Sequence, residues 1–130
     1  MGLLAEIFTW WNGQTMGTRL FTSRHGQRVG EDEFGNVYYR AKDIPPHGER
    51  RWVVYNGIAD PSFVPAAWHG WLHHRSDTHP GNGEVAVREW QLPHKPNMTG
   101  TPGAYRPDGS LLTPERRPAA TGDYDIWSPE

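Results

Sequence analysis

The stretch Pro65-Ala-Ala-Trp-His-Gly-Trp-Leu-His-His-Arg75 constrains the fold more than any other, because only here does the chain spell out a helix with a definite buried face. Neighbours three and four apart share a helical face, so Trp68, Trp71 and Leu72 fall on one narrow arc. Pro65 suits the first helical position, where its missing N–H costs nothing, and Asp77 through Gly83 supplies a stop rich in Pro and Gly. A helix of roughly three turns is marginal alone, so the two indoles need a partner surface in this chain or in another protein.

How much core can back that helix is limited. Hydrophobic residues make up 35% of the 130-residue chain, while Gly numbers 15 and Pro 12, enough to order one compact nucleus but not the full length. Seven Trp and five Tyr weight the apolar content toward amphipathic rings, which favours a surface pressed against something else. A formal net charge of −2 removes bulk attraction to nucleic acid or anionic lipid. Without Cys there is no disulfide, thiolate zinc site or thiolate-ligated iron–sulfur cluster, which fits a reducing compartment. Residues 1–20 lack a basic leader and a span near 20 apolar residues, so the expectation is a chain made and kept on the cytosolic side.

In chain order, residues 2–11 place Leu3, Leu4, Ile7, Phe8 and Trp11 on a helical stripe, a short amphipathic helix that docks either on its own domain or on a partner or membrane interface. From Asn12 to Gly26 the polar content reads as a linker, with a short strand at Arg19–Thr22. A β-hairpin is expected from Arg28 to Arg40, with Gly35 and Asn36 able to take the left-handed conformation of a tight loop. A third strand, Arg50–Tyr55, follows the breaker at 45–48 and completes a three-stranded antiparallel meander. Alternation sets Trp52 and Val54 on one face and Val53 and Tyr55 on the other, with Tyr38 and Tyr39 likewise opposed, and one helix can cover only one face. Residues 84–90 read as a short strand or an extended arm. From Pro93 onward the chain holds seven of its twelve prolines, yet it keeps Met98, Tyr105, Leu111, Leu112, Tyr124 and Trp127, the makings of an arm that orders on a partner. The whole is a small α+β fold in three parts: 1–26, N-terminal amphipathic helix and linker; 27–92, β-meander and helix nucleus; 93–130, a long irregular Pro-rich C-terminal arm.

Catalytic chemistry finds little footing. His69 and His73 have the spacing by which two imidazoles share a zinc, but Gly70 stands where a hydrolytic site needs Glu, and His79 and His94 are only loose candidates for a third ligand. No Ser sits in a nucleophile elbow. Residues 99–103 have Gly and hydroxyls without the Lys of a phosphate loop, and Arg116-Arg117 reads as a solvated basic pair. No catalytic, cofactor or metal residue is assigned.

Four blocks resemble one family: Val29-Gly-Glu-Asp-Glu-Phe-Gly-Asn-Val-Tyr-Tyr39, Arg51-Trp-Val-Val-Tyr55, Val64-Pro-Ala-Ala-Trp-His-Gly-Trp-Leu-His73, and His94-Lys-Pro-Asn-Met-Thr-Gly-Thr101 with Tyr105-Arg-Pro107. It is the accessory subunit of respiratory complex I, NADH:ubiquinone oxidoreductase, known as subunit twelve of the alpha subcomplex. The blocks stand in family order and cover roughly residues 17–107; the last twenty or so residues match no block. The resemblance implies a non-catalytic subunit, without cofactors, on the peripheral arm near its junction with the membrane arm. There it would contact the core subunits that carry iron–sulfur clusters and the quinone site, and neighbouring accessory subunits. The compact chain is similar to an alphaproteobacterial version, peripheral on the cytoplasmic face of the inner membrane. A paralogue that acts as an assembly factor shares the Gly-Asn-x-Tyr-Tyr block but lacks the Trp-Val-Val-Tyr and Asn-x-Thr-Gly-Thr blocks present here. An aromatic-faced β module that stacks on peptide or nucleic acid is the alternative of another class, and it would need a basic face.

These readings assign Leu3, Ile7, Trp11, Trp71, Trp90, His94, Asn97, Thr99, Gly100, Thr101 and Tyr105 to a partner interface. They assign Gly35, Asn36, Tyr38, Trp52, Val54, Pro65, Trp68 and Leu72 to the framework.

Overall fold

The computed structural model describes residues 2–42, 48–83, 85–112, 119, 122–124 and 127–129. Contacts divide the chain into one unit of residues 1–96 and a second of residues 97–130.

The first unit runs α1 (Leu3–Phe8), α2 (Met16–His25), β1 (Gly26–Glu31), β2 (Val37–Ala41), β3 (Arg51–Val54), a 3-10 turn (Pro61–Phe63) and α3 (Ala66–Leu72). The strands form an antiparallel sheet in the order β1-β2-β3, so the expected α+β meander is the observed one. Asp32 N–H donates to the Asn36 carbonyl and Gly35 N–H to the Asp32 carbonyl, closing a three-residue hairpin loop with Gly35 at φ 82°. Gly35 alone takes the left-handed position there. Asn36 contributes its buried side chain instead. Between Arg28 and Gly30 the register shifts by one, leaving Val29 as the extra residue of a bulge.

The core is small and aromatic: Tyr38, Val64, Trp68 and Trp71 are buried, with Val29, Val53, Tyr55 and Leu72 packed around them. α3 thus lies on the sheet face that carries Tyr38, Val53 and Tyr55. Its N-cap is Pro65, so the helix starts one residue later than expected, at Ala66, and runs seven residues. At its end Arg75 N–H donates to the Gly70 carbonyl and His74 N–H to the Trp71 carbonyl, with His74 at φ 57°. That is a Schellman stop with histidine in the position that glycine usually takes.

The opposite face, Tyr39 and Trp52, is covered by α2. This corrects the linker and short strand read at 12–26. The segment is a ten-residue helix whose N-cap, Thr15, accepts from Thr18 N–H at 3.2 Å. Its sequence, rich in Gly, Thr and Ser, carries no apolar stripe and weak propensity. The helix is held by tertiary contact: Phe21 packs on Trp52 at 5.4 Å between centroids, and Trp52 Nε1 donates to Thr22 Oγ1 at 3.0 Å. Val54, half-buried and opposite Val37, lies on this same face and outside the Tyr38 cluster.

Among the described residues, 85–112 hold no helix or strand and no helix is long and apolar enough to cross a membrane. In the second unit, Asn97 Oδ1 accepts from Thr99 N–H and Thr99 Oγ1. Thr101 N–H closes a turn on the Met98 carbonyl, with Gly100 at φ 81°. The Asn-x-Thr-Gly-Thr block is therefore a turn that Gly100 permits. Arg116 and Arg117 lie outside the described residues.

Candidate partner-binding surface

Polar residues at the centre of the first unit serve its own architecture. Asp32 Oδ1 accepts from the N–H groups of Phe34 and Asn36, and its Oδ2 from Asn36 Nδ2 and from the Tyr38 hydroxyl at 2.7 Å. Asn36, 2% exposed, continues the network, accepting from Asn56 N–H and donating to the Phe63 carbonyl. One carboxylate thus ties the hairpin loop, β2 and the segment before α3 together. Burial, and then the hydrogen bond to Asp32, pushes the Tyr38 hydroxyl far above the ordinary tyrosine pKa, so it stays a neutral donor.

Arg51 forms a second clasp. Its side chain is 7% exposed and lies over the Trp71 ring at 4.8 Å. It donates to the Trp71 carbonyl at 2.7 Å, to Glu49 at 2.9 Å and to Asp77 at 2.6 Å. A cation at the end of α3 satisfies a terminal carbonyl and complements the helix dipole. Burial opposes the guanidinium charge, but the bonds to Asp77 and Glu49 outweigh it and raise the Arg51 pKa, while Arg51 holds Asp77 below the usual carboxylate range.

His79 closes the core from the far side. It is buried, stacked on Trp68 at 5.0 Å and edge-on to Trp71. Its Nδ1 accepts from Gly81 N–H at 3.0 Å, so the ring is the Nε2–H tautomer. Burial, followed by the Arg40 and Arg51 charges, lowers its pKa. In the sequence, Asp32 and Arg51 have no role beyond their places in the family blocks, and His79 has only that of a loose zinc candidate. The Asp-x-x-x-Asn spacing around the turn was the one readable signal.

The expected interface residues fall into three groups. Trp71 is 3% exposed and buried inside its own unit, so it is a core residue. The arc that carries both indoles faces a sheet from the same chain, which leaves neither ring for a partner. His94 is half-buried, its Nε2 bonded to the Ser62 carbonyl at 2.6 Å and its ring edge-on to Phe34. It pins the segment after α3 to its own unit. The rest are exposed: Leu3, Ile7 and Trp11 around α1, Trp90, and Asn97, Thr99, Gly100, Thr101 and Tyr105 in the second unit. No side chain of α1 is buried, and Glu6 joins it to α2 through Arg19 at 3.0 Å. Of the framework residues, Tyr38 and Trp68 are in the core, Gly35 and Asn36 shape the loop, Pro65 caps α3, and Leu72 and Trp52 are half-buried.

His69 and His73 sit side by side on the outside of α3 with rings 4.2 Å apart. Among the described residues no group of three or more His, Asp or Glu is placed to hold a metal. On the sheet, Tyr38 is spent on Trp68, while Tyr39 stacks on Trp52, which also meets Phe21.

Fold and surface define a small α+β protein built on a buried aromatic stack, with many aromatic and aliphatic side chains left facing outward. Residues 26–129 match the model of the family described as NADH ubiquinone oxidoreductase subunit NDUFA12, and the chain belongs to that family. It is 37% identical over 95 residues, 72% of this chain and 68% of the relative, to NADH dehydrogenase (ubiquinone) 1 alpha subcomplex subunit 12 of Dictyostelium discoideum. The protein of the same name from Bos taurus is 39% identical over 94 residues, 65% of this chain and 64% of the relative. An uncharacterised protein of Rickettsia prowazekii (strain Madrid E) is 37% identical over 70 residues, 52% of this chain and 68% of the relative, which supports the alphaproteobacterial type. The chain therefore spans about two thirds of the length of the relatives it matches.

Proposed function

We propose that the protein is a non-catalytic accessory subunit of respiratory complex I, which stabilises and helps assemble the peripheral arm near its junction with the membrane arm. The observation that carries this is the family match, which takes in the whole sheet, α3 and the turn at 97–101. The surface supports it. Trp90 is 77% and Tyr105 89% exposed, and Leu92, Leu111 and Leu112 are also bare, which is costly for a chain that works alone. In this reading the segments after α3 lie on the iron–sulfur and quinone-site subunits or on neighbouring accessory subunits. α1 supplies a further apolar contact at the cytoplasmic face of the membrane.

A tagged full-length chain, purified from detergent-solubilised membranes, tests the reading: it should co-migrate with NADH:ubiquinone oxidoreductase activity at one copy per complex. Trp90→Ser with Tyr105→Ser should release it while the melting temperature of the free protein stays unchanged. A tagged chain that runs apart from the complex in cells that make complex I would refute the assignment.

A further inference from the structure

Among the described residues the sheet has two free edges, and they differ. β1 is blunted by the bulge at Val29 and by Arg28 and Glu31, the ordinary protection of an exposed edge. β3 has no bulge, and its one charged side chain, Arg51, is turned to α3 and Asp77. Ala41 N–H donates to the Arg50 carbonyl, and the β2–β3 register alternates from there. Residues 50, 52 and 54 therefore turn their backbone groups inward to β2, and residues 51 and 53 turn theirs outward. Among the described residues nothing pairs with the backbone N–H or C=O of Val53.

Along this edge runs a cleft of about 700 Å³. Thr18 and Phe21 of α2 form one wall, His74 at the end of α3 stands on the other, and Trp52 and Val53 line it between them. The cleft is thus bounded from both sheet faces and floored by the outer edge of β3. Arg50, on its rim, is exposed and forms no ion pair among the described residues, in contrast to Arg51, whose charge is met by Glu49 and Asp77. His74 keeps its side chain here although its φ of 57° favours glycine.

We propose that the β3 edge is a docking groove for an extended segment of a partner polypeptide. The segment adds as a fourth strand, pairs with Val53, sets a large apolar side chain against Phe21 and Trp52 where they line the cleft, and brings a carboxylate to Arg50. The occupant is a polypeptide because unpaired, alternating backbone donors and acceptors are satisfied by another backbone and not by lipid. A second copy of this chain fits less well, because residues 50–56 of a facing β3 edge carry no carboxylate to meet Arg50. The inference rests on the edge geometry and not on the complex I assignment.

Photo-crosslinking tests it in the full-length chain within cells that carry the protein. Benzoylphenylalanine at position 18 and at position 74 should label one and the same short stretch of a single partner polypeptide, and at position 27 on the β1 edge should not. A synthetic peptide of the labelled stretch should bind the purified protein. N-methylation of the peptide amide that faces Val53 should weaken binding by about tenfold or more, and Arg50→Ala should weaken it as well. Labelling of a second copy, of this chain's own residues, of scattered targets or of nothing overturns the groove, as does an N-methylated peptide that binds undiminished. A labelled partner from outside complex I would uphold the groove while refuting the proposed function, so the two fail separately.

Discussion

The Tyr38 ring lies flat on the Trp68 indole, 4.0 Å between centroids and 3° between planes, while its hydroxyl reaches past the stack to Asp32. One residue thus joins the apolar core to the polar network of the hairpin. Tyr38→Phe keeps the stack and removes only the hydrogen bond, and it should cost about 1–2 kcal/mol. Asp32→Ala strips four donors of their acceptor and should cost more. Urea unfolding of the full chain, followed by tryptophan fluorescence, measures both; equal loss in the two variants would contradict the network's role.

Gly30 is placed by the bulge against the same indole. A Cβ there would stand 2.8 Å from the Trp68 ring, whereas a Cβ on Gly70 of α3 meets nothing within 4 Å. Gly30→Ala should therefore destabilise by about 1–3 kcal/mol through overpacking. Gly70→Ala, in the helix interior, should stabilise by roughly 0.5–1 kcal/mol. Melting temperatures that move the same way in both would show that the close approach at Gly30 does not matter.

His74 occupies the left-handed stop of α3. Replacing it with glycine relieves that strain and should add about 0.5–1 kcal/mol of stability. If the side chain serves the β3 groove, the same variant loses affinity for the groove peptide even as its melting temperature rises. A variant less stable than the parent would mean that the histidine makes a contact worth more than the strain.

His79 has its pKa lowered in the folded protein, and its Nδ1 is already an acceptor, so protonation must break the bond from Gly81. The unfolded chain takes up the proton first, near pH 6.5. The stability linked to this group is whole above that pH and is lost as pH falls through the lower folded value. Urea midpoints should thus decline from pH 7 to 5 more steeply in the parent than in His79→Gln, and parallel slopes would remove His79 from the account. Asp77, lowered by Arg51, contributes only in the more acid carboxylate range.

The meander and α3 were legible in the residues because their signals are local. Gly35 placed the turn, alternating apolar residues marked β2 and β3, and Trp68, Trp71 and Leu72 at helical spacing named the buried arc. The family blocks ran through the same stretches. What the chain alone did not disclose were partnerships between residues far apart in sequence. Met16–His25 has no apolar stripe, and it is a helix because Phe21 and Thr22 find Trp52, thirty residues away, on the face that α3 leaves bare. An arc of indoles says that something must cover it and not what does, so whether Trp71 faced a partner or its own sheet depended on where Arg51 and Tyr38 came to rest. His79 reads as a polar loop residue until the loop folds back over Trp68. Periodicity reports which side of an element is apolar, and only the tertiary structure decides which surface meets that side, because the deciding contacts are between groups the chain holds apart.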